Sequence, residues 1–93
     1  MIFGFNTDVK HGDIVYHVQS EARQGAHLLQ TMVFVAGRCV GKRATSYGEV
    51  ATKPEFSEER MHELLKEQHL FVVDAIREGK LEVALQNTVT ELS

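Results

Sequence analysis

The sequence predicts an α+β domain in which a four-stranded antiparallel meander is followed by one long helix (ββββα). Three observations carry this prediction. Residues 3–21 and residues 28–47 each divide into two β-type runs around a glycine, which is typical of hairpins. Residues 57–79 instead repeat apolar side chains at helical spacing. At 93 residues the chain fits a single domain, 1–93, with one modest core. We divide it into a β-meander at 1–47, a connector at 48–56, the helix at 57–79 and a tail at 80–93.

Composition excludes several classes of protein. The chain has 10 basic and 13 acidic residues, whereas nucleic-acid and anionic-membrane binders are usually basic. No run of residues is apolar enough for a membrane span, and the first residues lack the basic and apolar regions of a secretion signal. The single cysteine, Cys39, forms no intramolecular disulfide, which fits a reducing compartment. We therefore expect a cytoplasmic protein that binds neither nucleic acid nor a membrane.

The first hairpin separates apolar from polar side chains. We predict a turn at His11-Gly12, because glycine accepts the positive φ that such turns need. One face then carries Phe3, Phe5, Thr7, Val9, Ile14, Tyr16, Val18 and Ser20. The other face carries Asn6, Asp8, Val15, His17, Gln19 and Glu21, with Asn6 opposite His17 and Asp8 diagonal to it.

The second hairpin turns near Ala36-Gly37-Arg38, as a two-residue loop at either Ala36-Gly37 or Gly37-Arg38. One face is predicted to hold Leu29, Val33, Val35, Val40 and Ala44. The opposite face is predicted to hold Leu28, Met32, Phe34, Cys39, Arg43 and Tyr47. The third strand is thus apolar on both faces, as expected of an interior strand that is covered on both sides. The pattern leaves open which face belongs to the core.

The helix has recognisable ends. Ser57 is the predicted N-cap, Phe56 can pack against Met61, and Gly79 supplies the C-terminal stop. The predicted core stripe is Met61, Leu64, Leu65, Gln68, Phe71, Val72, Ala75 and Ile76, while Leu70 and Val73 fall outside it. The tail is ambiguous, because Leu81, Val83 and Leu85 alternate like a strand whereas Leu81, Leu85, Val89 and Leu92 suit a helix. We favour the helix.

Four polar residues of the first hairpin form the candidate ligand-binding set: Asn6, Asp8, His17 and Gln19. A histidine beside a carboxylate can act in acid–base chemistry, because its charge changes near neutral pH. The alternative is a solvated outer face of a sheet. We favour that alternative, because the pattern predicts no pocket around the set, and we assign no catalytic residue.

Other chemically suggestive residues support no site. Cys39 lies in a β-type run without a nucleophile signature, and is read as a small apolar side chain. His62 and His69 lie about 10 Å apart along a helix, which is too far to share a metal ion. The run from Gly37 to Lys42 lacks the strand–loop–helix context of a phosphate loop. We therefore predict no metal and no cofactor, and interpret the basic cluster of Arg38, Lys42 and Arg43 as edge-strand charges.

Several stretches resemble a group of small bacterial proteins of unknown function. They are GFNTDV, YHVQSE, TMVFVAGRCVGKRATSY, and a helix that contains EQH and closes with REGKL. The resemblance covers residues 3 to 81 and departs from the group's pattern at Ala22, where an acidic residue is expected. It implies a bacterial cytosolic domain of this size and names no activity.

The predicted function is that of a non-enzymatic interaction or assembly module that self-associates as a homodimer or a higher homo-oligomer. The reason is excess apolar surface on the third strand and on the helix, which a monomer would leave exposed. The predicted interface residues are Val33, Val35, Leu70, Val73 and Leu85, and the tail is the predicted clasp between copies. A ligand-binding or enzymatic domain that uses the Asn6/Asp8/His17/Gln19 face is the alternative, and binding of another protein also stays open.

Overall fold

The computed structural model describes residues 4–85 and 90–91. The strands are β1 (Gly4–His11), β2 (Ile14–Arg23), β3 (Leu28–Val35), β4 (Arg38–Ser46) and β5 (Thr90–Glu91). The helices are α1 (Gly48–Ala51), α2 (Glu58–Arg77) and α3 (Leu81–Ala84), and a 3₁₀ turn spans Gln24–Ala26. The sheet order is β1-β2-β3-β4-β5, with β5 parallel to β4 and all other pairs antiparallel. The predicted ββββα class is confirmed.

The loop of the first hairpin is Gly12-Asp13, one residue later than predicted, because His11 pairs with Ile14. Gly12 has the positive φ that the turn requires, 63°. The later loop moves the register by two positions. Asp8 therefore lies directly opposite His17, and Asn6 lies opposite Gln19, so the predicted cross-strand neighbours were wrong. The division into two faces survives, because a shift of two residues restores the same alternation.

The second hairpin loop is Ala36-Gly37, with both residues at positive φ (50° and 78°). The register shifts between Val33 and Phe34, where β4 has one extra residue, Val40. Such a bulge exchanges the two faces of the strand beyond it. The predicted faces of Arg43, Ala44 and Tyr47 were wrong for this reason, whereas Cys39 pairs with Phe34 as predicted. Arg43 and Tyr47 lie on the helix-covered side, and Ala44 lies on the opposite side.

Both ends of α2 follow the sequence signals. The Ser57 hydroxyl accepts a hydrogen bond from the Arg60 N–H at 3.1 Å. At the other end, Gly79 has φ 71° and Lys80 N–H donates to Ala75 O, which are features of a Schellman motif. The predicted stripe is buried except for Phe71, which is 47% exposed, whereas His69 and Val73 are buried at 2% and 1%. The placement of Val73 outside the core was therefore wrong.

The core lies between α2 and one face of the sheet, in two groups. One group packs β1–β3 against the C-terminal half of α2 and against α3, and consists of Val9, Val18, Val33, Val72, Val73, Ala75, Ile76 and Ala84. The other group surrounds the start of α2 and consists of Leu29, Tyr47, Met61, Leu64 and Leu65, with Phe56 packed against it as the cap pattern predicts. The core face of β3 is thus the one that carries Leu29, Thr31 and Val33.

The favoured helix is present only at the start of the tail, and the alternative strand over Leu81, Val83 and Leu85 was wrong. Residues Leu81–Ala84 form one helical turn, and Thr90–Glu91 form a short strand. Ala84 is fully buried, and its carbonyl accepts a hydrogen bond from Arg43 Nη1 at 3.1 Å. The first part of the tail therefore packs on its own chain. Val89 and Leu92 lie outside the described residues. In the part of the chain that the structure describes, no helix is both long and apolar enough to cross a membrane.

Candidate functional site

A row of hydroxyl groups crosses the sheet beneath α2. Thr7, Ser20, Thr31 and Thr45 come from four successive strands, and each side chain faces the helix. The alternation of each strand places them there, because they are in phase with the buried apolar residues on either side. The last three are at most 8% exposed. Buried hydroxyls need hydrogen-bond partners, and two adjacent helix residues supply them.

His69 joins the hydroxyls of β1 and β2. Its Nε2 lies 2.8 Å from Thr7 Oγ1 and its Nδ1 lies 2.7 Å from Ser20 Oγ, while Ser20 Oγ lies 2.7 Å from Thr31 Oγ1. Burial lowers the pKa of His69 below its usual value of 6.5. The ring is therefore neutral at pH 7, with one nitrogen donating and the other accepting. Two hydroxyls suit that state, because each can act as donor or acceptor.

Gln68 joins the hydroxyls of β3 and β4. Its Oε1 accepts a hydrogen bond from Thr45 Oγ1 at 2.6 Å. Its Nε2 donates to Thr31 Oγ1 at 3.0 Å and to the carbonyl of Leu29 at 3.1 Å. With His69, the network connects all four long strands to two neighbouring residues of α2. It fixes the position of the helix along the sheet more specifically than apolar contacts do.

The buried Ser20–His69 pair has the atoms of an activated nucleophile, but a substrate cannot reach it. Ser20 is 4% exposed and His69 is 2% exposed. A general base must reach a substrate proton directly or through one water, and a nucleophile must reach a reacting atom. Neither side chain is open to a substrate in this fold. The network therefore positions the helix rather than forming an open reaction site.

The predicted ligand-binding residues do come together, on the face of the sheet opposite α2. Asn6 pairs with Gln19 and Asp8 pairs with His17, so the four form one block across β1 and β2. Asp8 Oδ1 lies 2.7 Å from His17 Nδ1. The two side chains are 70% and 43% exposed, so solvent screens their interaction. The block is a solvent-exposed polar surface that a ligand could contact directly.

The predicted interface residues divide into three groups by burial. Val33 and Val73 are buried in the core, at 0% and 1% exposure, so they offer no surface to a second chain. Leu85 is half-buried and packs against the same core group, and Val35 is half-buried at the end of β3. Leu70 is 45% exposed and remains available.

The face of the sheet without the helix, which we call the open face, has an apolar centre. Leu28, Met32 and Phe34 of β3 are half-buried there, beside Ala44 of β4. Polar and charged side chains lie on the same face of β1, β2 and β4: Asp8, Lys10, His17, Gln19, Glu21, Arg23 and Lys42. Apolar side chains ringed by polar ones are a common pattern of contact surfaces.

A shallow pocket of about 260 Å³ lies between β4 and α2. Its lining combines Leu29, Leu64 and Phe71 with Arg43, Thr45, Glu67 and Gln68. The Arg43 guanidinium lies 4.8 Å from the centre of the Phe71 ring, so this half-exposed ring has a cation over its face. The polar groups of Gln68 and Thr45 in this lining already bond to each other.

Metal-binding and thiol chemistry gain no support from the described residues. Within residues 4–85 and 90–91, no three His, Cys, Asp or Glu side chains are grouped so that they could hold a metal ion. Cys39 is exposed, although we interpreted it from the sequence as a small apolar side chain, a type that is usually buried. His62 stacks on Phe5, with ring centres 5.0 Å apart. Of the predicted basic cluster, Arg38 and Lys42 are exposed, whereas Arg43 lies over Phe71.

Comparison with known proteins adds no function. No protein-family model matches the chain, and neither a curated protein nor a solved structure is detectably similar to it. The resemblance to small bacterial proteins therefore stays a prediction.

Proposed function

We propose that this protein is a non-enzymatic interaction module that associates with a second copy of itself. The observation that carries the proposal is that, in the part of the chain that the structure describes, α2 and α3 pack on the same face of the sheet and leave the other face without a helix. The open face keeps Leu28, Met32 and Phe34 partly exposed. Antiparallel sheets do tolerate one solvated face, but that face is then normally polar.

Among residues 4–85 and 90–91 no helix covers the open face, and the side chains of β3 on that face are mostly apolar. Three of its four outward residues are apolar, whereas those of β1 are polar or glycine. A second copy would cover apolar surface that is otherwise in water, and two-fold pairing is the commonest way to do this. The protein is proposed to act in the cytoplasm, which the exposed free thiol of Cys39 supports.

A second candidate function rests on a different observation. The Asp8–His17 contact, with Asn6 and Gln19 beside it, presents a carboxylate, an imidazole ring and two amides on one exposed block. Such a block can bind a small polar ligand. It lacks the concave apolar enclosure that most small-molecule sites have, and we therefore rank it second.

Isotope-filtered NMR tests the first function. Labelled and unlabelled copies are mixed, and nuclear Overhauser contacts are collected only between copies. Self-association predicts such contacts at a defined surface of the sheet or helix, whereas their absence at millimolar concentration contradicts it. The same sample tests the second function. Shifts confined to the His17 ring and its block on addition of a ligand library would favour ligand binding.

A further inference from the structure

Strand β1 is an open edge of the sheet. It spans eight residues, Gly4–His11, without a proline or a bulge, and it pairs only with β2 in the described part of the chain. Such an edge presents a row of backbone donors and acceptors that can pair with another strand. The opposite edge differs, because β5 pairs with the end of β4 and Val40 interrupts the ladder.

The hairpin determines which groups of β1 point outward. In a hairpin with a two-residue loop, the residues that flank the loop bond to each other, and hydrogen-bonded pairs then alternate along the ladder. Here the flanking pair is His11 and Ile14. The backbones of Phe5, Thr7, Val9 and His11 therefore bond to β2, and those of Gly4, Asn6, Asp8 and Lys10 face outward.

We propose that β1 pairs antiparallel with β1 of a second copy about a two-fold axis at Val9, so that Asp8 of each copy faces Lys10 of the other. This inference rests on the proposed self-association and places its contact and register at the β1 edge. Leu28, Met32 and Phe34 lie two strands away on β3, and this pairing does not itself cover them. The axis is perpendicular to the sheet. Both α2 helices then lie on the same side of one continuous sheet, and both open faces join on the other side.

Charge selects this register among the neighbouring ones. A two-fold axis between strands requires that residues with outward backbone groups pair with each other. An axis at Asp8 places that carboxylate opposite itself, and an axis at Lys10 does the same for two cations. Like charges directly opposite on a sheet are destabilising, whereas opposite charges are favourable. The axis at Val9 gives two Asp8–Lys10 pairs, and an axis at Thr7 gives none.

The helix adds apolar surface on the same side. His62 stacks on Phe5 of β1, which identifies the flank of α2 that lies above the open edge. Lys66 and Leu70 follow His62 at four-residue intervals, so they lie on the same side of α2, progressively farther from the sheet. Leu70 is 45% exposed on this side of α2, above the edge that the second copy would approach.

A charge-swap series tests the register. The full chain is compared with Asp8→Lys, with Lys10→Asp and with the double variant, by sedimentation equilibrium at low ionic strength. Each single change replaces both favourable pairs with like-charge pairs, so we expect the dimer Kd to rise at least ten-fold. The double variant restores two opposite-charge pairs, and its Kd should return to within about three-fold of the original. His17→Gln is the control for the lost Asp8–His17 contact and should leave Kd unchanged.

The outcomes separate this inference from the proposed function. A wild-type chain that is monomeric at all concentrations overturns both. A wild-type dimer with the same Kd in all charge variants overturns the edge pairing and retains self-association. Phe34→Glu would then locate the contact on the open face. If the double variant is as weak as the single ones, the opposition of Asp8 and Lys10 is wrong.

Discussion

Replacement of Gln68 by methionine tests the buried network most sharply. Methionine has a similar length and no hydrogen-bonding amide, so the volume is nearly conserved. The Thr45 hydroxyl loses its acceptor and the Leu29 carbonyl loses its side-chain donor, while Thr31 keeps the contact with Ser20. A buried group left without a partner costs about 1–3 kcal/mol. The Thr45 hydroxyl is such a group, so the free energy of unfolding should fall by about 1–3 kcal/mol, a large part of the stability of a small domain.

The assay is urea unfolding followed by circular dichroism, with Glu67→Met as the matched control. Glu67 is the preceding residue on α2 and is exposed, so its replacement should change the free energy of unfolding by less than about 0.5 kcal/mol. The denaturant slope should be the same in all three proteins, because the surface exposed on unfolding is similar. A loss below about 1 kcal/mol for Gln68→Met would refute the claim that this amide holds the helix in place.

Three further changes test other parts of the fold. Gly12→Val should destabilise the fold by about 1 kcal/mol or more, because Gly12 has φ 63°, which a β-branched residue rarely adopts. A Cβ at Gly12 would meet no other atom, so the effect comes from the backbone alone. Gly25→Ala, where a Cβ also meets nothing, is the control and should be nearly neutral in thermal melts. Burial lowers the pKa of His69, so below about pH 6.5 the unfolded chain binds a proton more readily than the folded chain does, and the free energy of unfolding should fall. In His69→Gln the free energy of unfolding should depend less steeply on pH in this range. An unchanged slope would contradict the burial of a neutral ring. A chain that ends at Lys80 loses the fully buried Ala84 and should melt at a lower temperature than the full chain; an equal melting temperature would mean that the tail does not cover the core.

The main elements were predictable because local signals agreed with the tertiary fold. Glycine at the loops, the Ser57 cap and the Gly79 stop each act over a few residues, and the structure uses all of them. The division of β1 and β2 into two faces was predictable for the same reason. The loop position was less determined, because Gly12 fits either His11-Gly12 or Gly12-Asp13 and only the pairing distinguishes them.

Longer-range features were not predictable from pattern alone. Nothing local marks Val40 as a bulge, and that single extra residue moves Arg43 and Tyr47 to the core side. The network left a faint signal, since Thr7, Ser20 and Gln68 all fell on otherwise apolar faces. His69 had no such signal, because it is buried by the position of α2 over β1 and β2 rather than by its place in the helical stripe. Val33 and Val73 were predicted at the interface because they are apolar, but both side chains are buried in the core of their own chain.

The two proposed functions depend on the outer surfaces of the sheet, which are the open face and the β1 edge. The network fixes α2 on one face, and this leaves the open face and the β1 edge as the surfaces where contact adds apolar burial or backbone hydrogen bonds. Asp8 has a part in both proposals, through His17 within the chain and through Lys10 of a second copy. The Asp8 carboxylate thus contacts His17 in the ligand-binding proposal and Lys10 of a second copy in the edge-pairing proposal.

The molar mass of the full chain in solution tests the central claim of self-association most directly. Light scattering on the eluting protein, over a concentration range from micromolar to hundreds of micromolar, gives this mass without assumptions about shape. The account predicts a mass of twice the 10.5 kDa chain at the upper concentrations, with a decrease on dilution. A constant, monodisperse mass of 10.5 kDa over the whole range would contradict it.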